Sequence, residues 1–206
     1  MKKALLLVDI QNDFIPGGAL EVKNGDEIIE VANTVMKYFD HVIATQDWHP
    51  ADHKSFASRH EGKNPGEFIE LNGLQQILWP DHCVMETRGA EFAPGLDVES
   101  ITKVIRKGID KEVDSYSGFF DNAHGRATGL EDYLRSQGID DLYIAGLATD
   151  YCVKYTALDA RTLGFKTSII IEGVRGVEIN PGDCDKAIEE MKEAGVEVVS
   201  HFSAVI

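Results

Sequence analysis

Apolar residues fall along this chain in short continuous blocks, separated by amphipathic stretches. Ala4 to Val8 is an unbroken apolar run that stops at the charged Asp9. That is the pattern of a strand buried on both faces of a parallel sheet. Val42 to Thr45, Thr102 to Ile105, Leu142 to Ala145, Lys166 to Ile171 and Val196 to Val199 predict five more strands. Ile28, Val31, Ala32, Val35 and Phe39 recur at helical spacing. A second helix is expected from about Asn122 to Gln137, with Gly138 as its stop. A last one is expected from Asp183 to Ala194, turning Ala187, Ile188 and Met191 inward and ending at Gly195. Strands alternating with helices predict an α/β protein. Its sheet is open, mostly parallel and six-stranded, with helices on both faces, and residues 1–206 form one domain. From His49 to about Ser100 the periodicity fades. Loops this long are usually functional or disordered. This one carries aromatics and histidines, so a functional loop region at about 47–100 is expected.

One stretch organises the rest: Tyr143-Ile144-Ala145-Gly146-Leu147-Ala148-Thr149-Asp150-Tyr151-Cys152-Val153. It reads as a strand, a glycine turn and the first turn of a helix, which Thr149 or Asp150 can cap. Val153, Ala157, Ala160 and Leu163 supply one apolar helical face. Cys152 then stands at a helix N-terminus beyond the carboxyl end of a strand. Partial positive charge there favours the thiolate, and backbone N–H groups at the turn could hold a negative oxygen. Position alone fits a small buried cysteine better than a nucleophile. Only partners elsewhere in the chain reverse that reading.

Charge and cysteine usage narrow the surroundings. The 206 residues carry a formal net charge of -15. Such a surface repels phosphate backbones and argues against a nucleic-acid partner. The chain contains no apolar run long enough to span a membrane. The run after Met1-Lys2-Lys3 is too short for a signal peptide. Three widely spaced cysteines, Cys83, Cys152 and Cys184, do not make a disulfide framework. A reducing, cytoplasmic compartment is expected.

Candidate chemistry gathers where open α/β sheets place their sites, beyond the carboxyl ends of strands. Asp9, Asp47, His49, Lys111 and Cys152 all fall there. Asp47 and His49 are two apart on an extended segment, so both side chains point to one face. They could share a divalent ion. Five of the seven histidines lie between His41 and His82. His82, in the compact Trp79-Pro80-Asp81-His82-Cys83 segment, is the best third ligand, and His53 is a weaker one. Cys83 points away from its neighbour and is left out. Asp9 could serve Cys152 as a base, or could cap a turn. Lys111 could hold Asp9 ionised, although a solvated surface lysine is its ordinary reading. Phe14 and Trp79 are either pocket walls or core residues.

These segments together resemble the nicotinamidases, of the isochorismatase-like cysteine hydrolase family. The matching stretches are Val8-Asp9-Ile10-Gln11-Asn12-Asp13-Phe14, Thr45-Gln46-Asp47-Trp48-His49-Pro50, Asp52-His53-Lys54-Ser55-Phe56-Ala57, Leu78-Trp79-Pro80-Asp81-His82-Cys83-Val84, Lys107-Gly108 with Lys111, and Gly146 to Val153. The resemblance implies a Rossmann-like three-layer fold and a catalytic triad of Asp9, Lys111 and Cys152. It implies one divalent metal ion on Asp47, His49 and His82, most simply zinc, with iron or manganese as alternatives. His53 is a further ligand in some relatives. A cis peptide bond is implied just before Ala148, with the N–H groups of Ala148 and Cys152 as an oxyanion hole. Phe14, Trp79 and Tyr116 would flank the substrate ring. The implied reaction converts nicotinamide to nicotinate and ammonia through a Cys152 thioester, in NAD salvage, and extends to pyrazinamide. A homo-oligomer is compatible with the family. The rival readings are an amidase for a carbamoyl or ureido compound, and a non-catalytic metal-binding or thiol-sensing protein.

Overall fold

In the computed structural model, which describes residues 2–204, the first apolar run forms β1, Lys2–Val8. A helix α1, Ile28–Met36, leads to β2, Val42–Asp47. A two-stranded hairpin follows, β3 Phe68–Leu71 and β4 Leu74–Ile77. Then come β5 Lys103–Lys107, α2 Leu130–Ser136, β6 Ile139–Leu147, α3 Lys154–Thr162, β7 Lys166–Arg175, α4 Asp183–Glu193 and β8 Glu197–Val199. Six strands make one sheet in the order β5-β2-β1-β6-β7-β8. Every pairing in it is parallel. The expected open α/β sheet is what the chain adopts.

β1 explains the layering. Successive side chains of a strand point to opposite faces. Leu5 and Leu7 pack with Ile28, Ala32 and Val35 of α1, and with Ala90 and Leu96 of the loop after the hairpin. Ala4, Leu6 and Val8 pack on the other face with Leu134 of α2, Ala157 of α3 and Met191 of α4. Burial on both faces is why this strand is apolar without alternation.

Three expectations need correction. The helix expected from about Asn122 occupies only Leu130–Ser136. The preceding residues turn instead, because polar side chains take the backbone's bonds. Asp121 Oδ1 accepts the Gly125 N–H at 2.8 Å and Asn122 Oδ1 accepts the Tyr116 N–H at 2.9 Å. The fading of periodicity after His49 hid the β3–β4 hairpin, where apolar Phe68 is exposed and polar Gln76 is buried. Finally, neither Thr149 nor Asp150 caps a helix. Thr149–Val153 is a π-helical turn, and Asp150 reaches across to accept the N–H groups of Val177 and Glu178 at 3.0 and 2.8 Å. Among the described residues, no helix is long and apolar enough to cross a membrane.

Candidate active site and metal centre

β1, β2, β5 and β6 lie side by side and end together. The residues at or just past their carboxyl ends therefore share one crevice. Asp9 follows β1 with a left-handed backbone, φ 49°. Asp47 and Lys107 close β2 and β5, where they are register partners. Cys152 lies in the π turn after β6, just past a cis peptide bond between Leu147 and Ala148.

Lys107 is the hub. Its ammonium lies 2.9 Å from Asp9 Oδ2, 2.6 Å from Asp47 Oδ1 and 3.4 Å from Cys152 Sγ. It also donates to the Ser115 carbonyl at 2.7 Å. The lysine side chain has no solvent exposure. A buried ammonium persists only when paired and hydrogen-bonded, and this one is. Lys111, which the sequence offered for this position, lies elsewhere. It pairs with Asp52 at 2.7 Å, with the two side chains 48% and 58% exposed. The physical reason is where the strand ends. Lys107 shares the buried face of β5 with Ile105, whereas Lys111 comes after the strand has ended and the chain has turned at Gly108.

Proton placement follows from burial and charge. Burial works to raise the Asp9 carboxyl, Lys107 opposes it, and Asp47 adds to it; the result is a pKa raised to about 6. Burial also works against ionised Asp47, but Lys107 and then His49 outweigh it, so this carboxyl is held low. Lys107 itself resists burial because two carboxylates face it, which keeps it charged. Burial pushes the Cys152 thiol well up; Lys107 pulls it down, while Asp9 and Asp47 add to the rise. The resting group is a thiol whose proton is offered to Asp9. Thr45 fixes the carboxylate: its Oγ donates to Asp9 Oδ1 at 2.6 Å and accepts the Asp9 N–H at 3.2 Å.

Asp47, His49 and His82 each bring one ligand atom into a cluster within 4.8 Å of one another. Their second atoms are already used. His49 Nδ1 bonds the Gly108 carbonyl at 2.9 Å, leaving Nε2 buried, without a hydrogen-bond partner and 3.6 Å from Asp47 Oδ2. His82 Nδ1 bonds the Pro80 carbonyl at 2.8 Å. Burial, and then His49, push the His82 ring down to about 4. Two imidazoles oriented through their outer nitrogens, with free inner nitrogens facing a carboxylate, suit a borderline-soft divalent ion. Gly108 is required here. A Cβ at that position would lie 2.3 Å from His49 Cε1, and its φ is 67°. A second triple, Asp9, Asp47 and Cys152, is equally compact, but the Lys107 ammonium already fills it.

The His53 ring lies 4.5 Å from that of His49 and groups with His49 and Asp114, outside the first triple. Its Nδ1 accepts the Ser55 N–H at 3.1 Å. Cys83 is buried and points its sulfur toward the Gly89 carbonyl. Above these groups lies a narrow cleft. Phe14, Leu20, Trp79, Tyr116, Tyr151 and Val177 form its walls, and Asp47, His82, Ala148 and Cys152 open onto it. Trp79 meets Tyr151 edge to face at 4.9 Å and donates its indole N–H to the Tyr116 hydroxyl at 3.2 Å. Such a slot fits a flat ring. Sequence reasoning missed Lys107, Thr45, Gly108 and Asp114. Only Lys107 left a readable signal, its place two residues after buried Ile105.

The sequence and the fold have known relatives. The isochorismatase domain family matches residues 3–203. A nicotinamidase of Escherichia coli is 51% identical over 197 residues, covering 94% of this chain and 92% of that protein. The structure of an Acinetobacter baumanii nicotinamidase and pyrazinamidase superposes with a TM-score of 0.96 at 44% identity, covering 100% of this chain and 98% of that one. A pyrazinamidase of Pyrococcus horikoshii in complex with zinc superposes with a TM-score of 0.79 at 38% identity, covering 97% and 99%. With a family match across nearly its whole length and relatives this similar, the chain belongs to the isochorismatase domain family.

Proposed function

We propose that this chain is a metal-dependent amidohydrolase that converts nicotinamide to nicotinate and ammonia through a thioester on Cys152. It extends to the related pyrazinamide. The observation that carries the reading is the buried meeting of Asp9, Lys107 and Cys152 beside the Asp47, His49 and His82 cluster. Its similarity to nicotinamidases and pyrazinamidases supports the substrate class.

Asp9 takes the Cys152 proton. A pKa near 6 suits that task, since an effective base titrates close to working pH. Lys107, 3.4 Å from the sulfur, stabilises the thiolate as it forms. The sulfur attacks the carboxamide carbon, and the N–H groups of Ala148 and Cys152 receive the developing oxyanion. One such donor is typically worth about 3 kcal/mol of barrier. Asp9 returns its proton to the departing amine, and ammonia leaves the acyl-enzyme. Water then attacks the thioester, with Asp9 as base, giving nicotinate and the free thiol. Phe14, Trp79 and Tyr116 hold the ring flat and exclude solvent. Asp47, His49 and His82 would hold one divalent ion, zinc best by ligand type. When bound it supplies a Lewis-acid site for the pyridine nitrogen. His53 is not a direct ligand in this reading. It groups with His49 and Asp114 and not with the Asp47, His49 and His82 triple, and its Nδ1 lies 2.8 Å from the Ser55 hydroxyl.

An ammonia-release assay with nicotinamide tests the proposal. Zinc-loaded, reduced enzyme is expected to release ammonia, and a chelator to stop it until zinc is restored. Absence of ammonia from metal-replete, reduced enzyme overturns the reading.

A further inference from the structure

The parallel ladder between β1 and β2 ends at the register pair Leu7 and Ala44. Beyond it the two chains splay, which opens the crevice. Asp47 lies three residues past that last pair. On one side its backbone is secured by the β5 ladder, opposite Lys107. On the other side, where a β1 backbone would have stood, a single side chain takes over. Gln11 Oε1 accepts the Asp47 N–H at 2.8 Å, and Gln11 Nε2 donates to the Asp47 carbonyl at 2.8 Å. Its second amide hydrogen goes to the Ala90 carbonyl at 2.9 Å. Gln11 has no solvent exposure. Only one orientation of the amide satisfies all three bonds. Flipped, its oxygen would face two carbonyls and its nitrogen would face an N–H.

We propose that Gln11 is a positioning residue that sets the affinity of the ion site by fixing the backbone of Asp47. It imitates a strand edge, giving a ligand-bearing residue the two bonds the ladder no longer supplies. The proposal rests on the reading of Asp47, His49 and His82 as the ion site. Asp47 is the one ligand held between the ion position and the Lys107 ammonium. Small changes in its backbone therefore move a carboxylate that has no other anchor to β1. Groups that orient metal ligands are commonly worth 10 to 100-fold in affinity.

Gln46 provides an internal control. It is also buried and donates to the same Ala90 carbonyl, at 2.8 Å. Its other recorded side-chain bond is to Arg106, at 3.2 Å, and it does not bond the Asp47 backbone through its side chain. The experiment titrates apo-enzyme with zinc against a competing chelating dye. It compares the parent with Gln11→Met, Gln11→Glu and Gln46→Met, and takes the melting temperature of each apo form. The expected result is about 10-fold or more loss of zinc affinity in Gln11→Met, and at least as much in Gln11→Glu, whose carboxylate faces two carbonyls. Gln46→Met should stay within about twofold. If Gln11→Met fails to fold, Gln11→Asn, whose amide is one methylene short, decides by the same threshold. Parent-like zinc affinity in the Gln11 variants overturns the proposal, and so does an equal loss in Gln46→Met. A parent that binds no zinc overturns the ion site itself, which separates the two failures.

Discussion

Asp9, Lys107 and Cys152 hang from the ends of three strands, whereas His49 and His82 sit on irregular chain between β2 and β5. The strand-borne half is aligned by the ladders that align the sheet. Side chains that bond backbone hold the loop-borne half. Gly108 takes His49 Nδ1, Pro80 takes His82 Nδ1, and Asp13 Oδ2 accepts the Cys83 N–H at 2.7 Å. Asn12 bonds the carbonyls of Arg88, Glu91 and Phe92. Asp47 belongs to both halves. On the proposed function, sheet geometry brings Asp9, Lys107 and Cys152 together with Thr45 as their one further side-chain support. The ion site needs a dedicated scaffold of buried polar groups, each of which must be satisfied.

If the halves are separable, damage to the strand-borne one should remove chemistry and leave the ion. Cys152→Ala should cut ammonia release by about 10⁴-fold or more while the zinc content stays at the parent level, checked by elemental analysis. Zinc loss in that variant would break the comparison. Lys107→Met should cost about 10³-fold in kcat/KM, and also about 3–5 kcal/mol of stability, since two buried carboxylates lose their cation. Chemical denaturation measures the latter. Lys111→Met, removing an exposed pair, should stay within about twofold in both respects.

Damage to the loop-borne half should read first in affinity. Gly108→Ala drives a methyl group into the His49 ring and should weaken zinc binding by about 10 to 100-fold in a competition titration. The smallest effect is electrostatic. With zinc saturating, kcat/KM should fall on the acid side through a single midpoint, because Asp9 must be ionised to act as base. The Thr45 hydroxyl favours the ionised form. Thr45→Val should therefore move the midpoint upward, by about one unit at most. A midpoint that falls, or stays fixed, would remove Asp9 from the base role.

Much of this was legible in the residues. Continuous apolar runs marked the inner strands β1, β2, β6 and β7, where burial on both faces leaves no other pattern, while the edge strands β5 and β8 were found from shorter apolar stretches. The identity of the lysine was not read. Lysine after a strand suggests surface, and both candidates lie an even number of residues past Ile105; what separates them is that β5 still runs at Lys107 and has ended before Lys111. Taking the strand two residues further would have put Lys107 on the inner face. Gln11 and Thr45 were illegible for another reason. Their roles exist only where β1 and β2 part, and no single segment shows where two neighbours stop pairing. The shortening of α2 came from Asp121 and Asn122, whose side chains compete for backbone bonds.

β5 is an outermost strand of the sheet, ladder-bonded only to β2. The ammonium that Asp9 and Asp47 both lean on is thus mounted on the margin of the fold, where strands fray most readily. Surface engineering between the hairpin and α2, on ground that looks permissive from outside, would silence the enzyme sooner than comparable changes beside the deeply enclosed β1 or β6.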